Sequence, residues 1–329
     1  MHITQIAANV VDVGQGFMWA GRLAKQVIGV HVKIETNSGM AGHALCWPSE
    51  LAPRAVAASI ADTVAPLLVD TDPFDRVSAL NPVWRSIRVG TPLPAFGVVD
   101  CALWDLLGQM SGRSVAQLLG QRHSRLKACA SAPPCDSPTE CAGMVEALVG
   151  EGFLAVKLHA CGDVTVDVES CRLAREVAPN TDLMMDAMAI YSRHEALALG
   201  RALDAHHYRW YEDPLPDDDL DGWRELRTYI ETPLAGVDAV RFTTRDYARP
   251  MADGAFDIVR MDAARQGITL LSDLSKVADA FGLGCEGHAF GPALSQAANL
   301  QAALAAGNAE YCELPVPVGA LDFGVKGGL

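Results

Sequence analysis

Eight short apolar runs, each followed by a longer helical stretch, fill the chain from Leu126 to its end, and this repeat limits the fold more than any other feature. The runs are Leu126 to Ala130, Leu154 to Leu158, Asp182 to Met185, Tyr208 to Tyr211, Pro233 to Val237, Asp257 to Met261, Leu283 to Cys285 and Tyr311 to Leu314. Eight strand-then-helix units in about 190 residues are the arithmetic of a (β/α)8 barrel, whose chemistry gathers at the C-terminal ends of its strands. A charged or imidazole side chain closes seven of the runs: Lys157 and His159 the second, then Asp186, Glu212, Asp238, Asp262, His288 and Glu313. Successive members stand about 25 residues apart, the length of one βα unit, and equivalent positions in successive units lie around one ring. The spacing therefore predicts all eight side chains at one mouth of the barrel.

The region before the repeat reads differently. Val30, Val32 and Ile34 alternate with His31, Lys33 and Glu35, and Asn37-Ser38-Gly39 is turn chemistry, which predicts two antiparallel strands. Pro53 opens a helical stretch to about Val69, a second begins near Pro73, and a third, strongly apolar one runs from Ala95 to Met110 before Ser111-Gly112. The expected architecture is α/β: a modified (β/α)8 TIM barrel over residues 121–314 with an N-terminal α+β capping domain over 1–120 and a short C-terminal return over 315–329.

Composition narrows the function classes. With 26 Lys+Arg against 40 Asp+Glu, a net charge of −14 and no basic run, the chain suits neither nucleic acid nor an anionic membrane surface. Nine scattered cysteines without a Cys-x-x-Cys pair fit neither a disulfide framework nor a thiolate zinc site and point to a reducing compartment. Met1 to Val13 carries no cationic leader, and the uncharged stretch 287–309 is broken by Gly, Pro, His288, Gln296 and Asn299, which predicts a buried helix rather than a membrane span. A cytoplasmic homo-oligomer acting on a small molecule is expected.

Asp186, Glu212 and Asp238 offer only oxygen donors and would repel one another unless a hard divalent cation lay between them, for which Mg2+ is the natural choice. Lys157 and His159 are two apart on one strand, so they share a face and stand roughly 7 Å apart. Asp262 and His288 end adjacent strands, where a carboxylate can hold one imidazole nitrogen and leave the other to move a proton; His159 and His288 would then face each other across a substrate. His43, His123, His194, His206 and His207 show no partner pattern. Gly14-Gln15-Gly16 does not lead from a strand into a βαβ helix, so it is not a dinucleotide loop. The Gly14 to Gly21 loop with Phe17, Met18 and Trp19, and the segment around Trp47-Pro48, suit either a water-excluding lid or simple packing at the domain junction.

The ladder resembles that of the enolase superfamily, within it the mandelate racemase/muconate lactonizing enzyme family and its mandelate racemase-like group. The resemblance spans almost the whole chain and is carried by Asp100-Cys101-Ala102-Leu103-Trp104-Asp105-Leu106-Leu107-Gly108, the Gly112 to Gly120 segment, Lys157-Leu158-His159, Asp186-Ala187-Met188, Glu212-Asp213-Pro214, Asp262-Ala263-Ala264-Arg265-Gln266-Gly267 and Gly287-His288. It implies a Mg2+ held by Asp186, Glu212 and Asp238 that binds a substrate carboxylate while a base removes the proton on the adjacent carbon. It also implies Lys157 beside the carboxylate, His159 on one face, His288 oriented by Asp262 on the other, and Glu313, if protonated, as a donor to the enediolate oxygen. The chain departs from the family pattern at His159, where many relatives carry Lys, at Asp238, often Glu, at Met188, often Asn, and in a shorter C-terminal return. The implied activity is dehydration of an acid sugar to a 2-keto-3-deoxy acid. Racemisation or epimerisation of a 2-hydroxy acid, cycloisomerisation and an inactive binding scaffold are the alternatives, and a zinc hydrolase would want a His-x-His pair that the chain lacks.

Overall fold

The computed structural model describes all residues except 13–17, 20–21, 24–26, 49–51, 79–80, 82–89, 237–242, 320, 324 and 326–329. The first layer is a three-stranded antiparallel sheet in the order β1 (Ile3–Asp12), β4 (Ile28–Thr36), β5 (Ala41–Cys46), with a two-residue pair, β2 (Met18–Trp19) and β3 (Arg22–Leu23), between the first two in sequence. The alternation at Val30, Val32 and Ile34 is what buries one face of β4. β1 escaped the sequence reading because its burial does not alternate: of its ten residues only Ile3 and Ile6 are buried.

The apolar helix Leu93–Ser111 begins with Pro94 in its first turn and ends at Gly112, whose φ of 62° is the left-handed conformation that glycine adopts without steric cost. Gly97 brings this helix against the barrel: a Cβ there would lie 2.3 Å from the Arg265 carbonyl carbon, so no larger residue permits the same approach. Asp100, wholly buried, accepts from the Thr269 backbone N–H (2.8 Å) and hydroxyl (2.7 Å), and the Trp104 indole N–H donates to the same hydroxyl (2.9 Å). The capping helix thus grips the segment that follows the sixth barrel strand.

The barrel strands are β6 (Lys127–Ser131), β7 (Ala155–His159), β8 (Asp182–Asp186), β9 (Trp210–Glu212), β10 (Leu234–Gly236), β11 (Ile258–Met261), β12 (Gly284–Gly287) and β13 (Tyr311–Pro315). They form one sheet in the order β12-β11-β10-β9-β8-β7-β6-β13, and each paired neighbour is parallel. Each expected run overlaps an observed strand, and six of the eight strands extend one or two residues beyond the run. The end strands β12 and β13 meet through a side chain: the buried Glu286 carboxylate accepts the Glu310 and Tyr311 backbone N–H groups at 2.8 and 3.2 Å. Burial, with backbone donors only partly offsetting it, pushes the Glu286 carboxyl up to about 7.

Side chains alternate across each strand, so the interior is built in layers. The lower layer is apolar, joining Cys129, Ala155, Met184, Trp210, Ala235 and Tyr311. Two residues further along the same strands come Ser131, Lys157, Asp186 and Glu212, all buried. The site therefore stands on a packed apolar floor.

Candidate active site

The register sets the ring. His159 pairs with Asp186 and Asp186 with Glu212, so three strand-end side chains stand side by side on consecutive strands. Lys157, two residues before His159 on β7, reaches up among the carboxylates: its Nζ lies 3.1 Å from both Glu212 oxygens, 3.0 Å from Glu313 Oε1 and 3.4 Å from Asp186 Oδ2. Burial alone would pull the ammonium's pKa down, but Glu212, Glu313 and Asp186 outweigh it and hold the pKa above its ordinary value. Burial likewise opposes ionisation of Asp186, and Lys157, His159 and the Met188 backbone N–H together win, holding the carboxyl well below the usual carboxylate range.

His159 Nδ1 lies 2.6 Å from the Ala132 carbonyl oxygen, which can only accept, so that nitrogen carries its proton. Nε2 is the nitrogen left to exchange one, 3.3 Å from Asp186 Oδ2. Across the ring His288 Nδ1 faces Asp262 Oδ2 at 3.5 Å. Asp262 is itself held: its Oδ1 accepts from Ala264 N (2.8 Å) and Asn299 Nδ2 (3.0 Å), and Arg265 Nε stands 3.5 Å from Oδ2. Burial raises its pKa, but His288, Arg265 and Asn299 more than compensate and keep it low.

Glu313 departs from the expectation of a protonated donor. Burial favours the acid, yet Lys157 at 3.0 Å and Arg260 Nη2 at 2.6 Å hold the carboxyl well below its ordinary pKa, and its oxygens also accept from the Ser131 hydroxyl (2.7 Å) and Ala289 N (3.1 Å). It is an ionised acceptor, because two buried cations outweigh the cost of its own desolvation.

Asp238, the expected third ligand, lies outside the described residues. Among the described residues, the acidic group able to surround an ion is Asp186, Glu212 and Asp213, whose ligand atoms lie within 4.8 Å of one another. An all-oxygen set of this kind suits a hard divalent cation. Asp213 was missed because it follows the strand end, and its φ of 39°, like 49° at Met188 and 56° at Ala189, puts non-glycine residues in the left-handed region beside the acidic group. A cavity of about 620 Å3 opens over the ring, lined in part by Asp186, Met188, Glu212, Asp213, Arg265 and His288.

Arg260 was also missed. It is 2 % exposed, sits one layer below Asp262 on β11, and donates from Nε to Glu212 (2.8 Å), from Nη1 to Gly287 O (3.1 Å) and from Nη2 to Glu313. A cation inside the apolar run Asp257 to Met261 was the available signal, since a buried strand carries an arginine only where anions await it. Of the proposed lid, 14–17 and 20–21 lie outside the described residues; Trp47 packs its ring against Phe290, centroids 6.3 Å apart, next to the His288 segment.

Known proteins resemble the chain along most of its length. Residues 7–120 match the family model for the mandelate racemase/muconate lactonizing enzyme N-terminal domain, and residues 140–325 the enolase C-terminal domain-like model. The chain is 26 % identical over 283 residues to a D-galactarolactone cycloisomerase of Agrobacterium fabrum, covering 83 % of this chain and 74 % of that protein. It is 26 % identical over 299 residues to an arabinonate dehydratase of Saccharolobus solfataricus, covering 87 % and 78 %. Among solved structures, a D-glucarate dehydratase from Agrobacterium tumefaciens complexed with magnesium superposes with a TM-score of 0.85 at 29 % identity, covering 95 % of this chain and 86 % of that one. A member of the enolase superfamily from Polaromonas sp. JS666 shares the fold with a TM-score of 0.87 at 24 % identity, covering 96 % and 86 %.

Proposed function

The chain belongs to the mandelate racemase/muconate lactonizing enzyme family of the enolase superfamily and is an enzyme of its lyase and racemase type, and on that premise we propose that it dehydrates an acid sugar to a 2-keto-3-deoxy acid with the help of Mg2+. Asp186 and Glu212 would hold the ion, with Asp238 as third ligand and Asp213 alongside. Bound there, Mg2+ supplies positive charge next to the substrate carboxylate, where electron density collects when the α-proton leaves.

The chain's own groups then divide the work. Lys157, kept charged by its three carboxylate neighbours, adds a second positive charge at that carboxylate. His159 Nε2 takes the α-proton, since Nδ1 is committed to the Ala132 carbonyl. The C–H electron pair moves into the carboxylate; its return expels the β-hydroxyl, which leaves as water with a proton from His288, and the enol tautomerises to the ketone. Asp262 fixes the His288 ring through Nδ1. Glu313, ionised, acts as an acceptor that keeps Lys157 and Arg260 in place.

The observation that carries this reading is the joint placement of Lys157 among three carboxylates with an imidazole on either side of the ring. Two anchored imidazoles also favour epimerisation as a second reading, because a proton taken on one face can be returned on the other. Incubation with Mg2+ and a panel of aldonic and aldaric acids in D2O separates the two: 2-keto acid supports dehydration, and epimer or α-deuterium without water loss supports the second. Turnover that survives EDTA, or no change in any acid, overturns both.

A further inference from the structure

We propose that Arg260 is the positioning residue for His288, and that it couples the carboxylate expected to hold the metal to the histidine across the ring. Its guanidinium spends three N–H groups in three directions: Nε to Glu212 Oε1, Nη1 to the carbonyl of Gly287, and Nη2 to Glu313 Oε2. Gly287 is the residue before His288. The residue after it, Ala289, donates its backbone N–H to the same Glu313 oxygen that Arg260 grips, at 3.1 Å. The peptide groups on both sides of His288 are therefore held by one buried ion pair, and the His288 N–H itself donates to Met261 O at 2.7 Å on the strand that carries Arg260.

The histidine needs this bracket. β12 is four residues long and ends at Gly287, so His288 stands past the last ladder pair, Met261 with Gly287. Asp262 orients the ring, but a ring orientation acts only from a fixed backbone. Because Arg260 also holds Glu212, whatever orders that carboxylate reaches the His288 segment through one rigid, planar group. A lysine at 260 would keep the charge and lose the fork, since a single ammonium cannot span three acceptors that lie in different directions.

The proposal rests on the functional reading for its kinetic arm only. Arg260→Lys is compared with the parent protein, first by amide hydrogen exchange of the 287–290 segment and then by α-deuterium uptake with the acid panel. The expected result is a folded variant whose His288 and Ala289 amides exchange at least about tenfold faster, with kcat down by about 100-fold, the scale of a 1 Å misplacement, and KM little changed. Unchanged amide protection in folded R260K overturns the bracket, and a loss carried by KM alone overturns the positioning role. Should R260K not fold, the parent protein decides: Mg2+ alone is expected to slow exchange of these two amides, and unaltered rates overturn the coupling. If the parent protein exchanges no α-proton from any acid, the functional reading fails while the amide rates still judge the bracket.

Discussion

The two arcs of the barrel mouth hold their side chains by different means. On the β7–β9 arc the groups hold one another: Lys157 makes ionic contacts with Asp186 and Glu212, and His159 Nε2 stands 3.3 Å from Asp186 Oδ2. On the β11–β13 arc the functional groups are held by what surrounds them. Asp262 takes bonds from Asn299 and Ala264 N, and the His288 backbone is fixed by Met261, Arg260 and Glu313. One arc is a charge cluster that a cation can reorganise; the other is a hydrogen-bonded scaffold joined to the first through Arg260. An enzyme that captures an anion on one side and delivers a proton from the other gains from that division, because metal capture tolerates adjustment and proton transfer does not.

The contrast predicts how each arc fails. His288→Asn should cost about 10²–10⁴-fold in kcat, the usual worth of a general acid, with little change in melting temperature because the backbone bracket remains; a melting shift as large as that of a core mutant would contradict it. Lys157→Met should do the opposite, destabilising the metal-free protein by about 3–5 kcal/mol in urea denaturation because buried carboxylates lose their partner, with part of the loss recovered on adding Mg2+. Asn299→Ala, which removes one of the bonds holding Asp262, should lower kcat by about 10–100-fold and leave Mg2+ affinity, measured by calorimetry, unchanged. Loss of Mg2+ affinity in that variant would mean that Asp262, and not Arg260 alone, links the two arcs.

A last expected effect lies away from the mouth, at the β12–β13 seam. Glu286 has its carboxyl raised by burial to about 7 from an ordinary value of 4.5, so between those values the folded state binds more protons than the unfolded one. Its contribution is therefore fully present below about pH 4.5 and is lost as pH rises to about 7, by at most about 1.4 kcal/mol per pH unit. Denaturation midpoints across that window should fall less steeply in Glu286→Gln than in the parent protein.

The legible part of this protein was whatever has a period. Strand-end residues recur once per βα unit, so Lys157, His159, Asp186, Glu212, Asp262, His288 and Glu313 could be found by counting, and the registers His159–Asp186–Glu212 are the spatial form of that count. β1 was not legible because only two of its residues meet the core, and Asp213 was not because it stands one residue past the period. Arg260 was visible as an odd cation in an apolar run, but not its purpose.

The repeat, the acidic balance and the identity of the strand-end residues were thus set by the chain's order of residues alone, since one-dimensional spacing maps onto a ring whenever the unit is constant. Which groups are charged, and which one holds another, was decided only by the folded barrel. Glu313 illustrates the reason: burial by itself favours its acid form, and Lys157 and Arg260, brought within 3.0 and 2.6 Å from strands far away in sequence, reverse that preference. Desolvation and Coulomb attraction both depend on distances that no linear spacing contains.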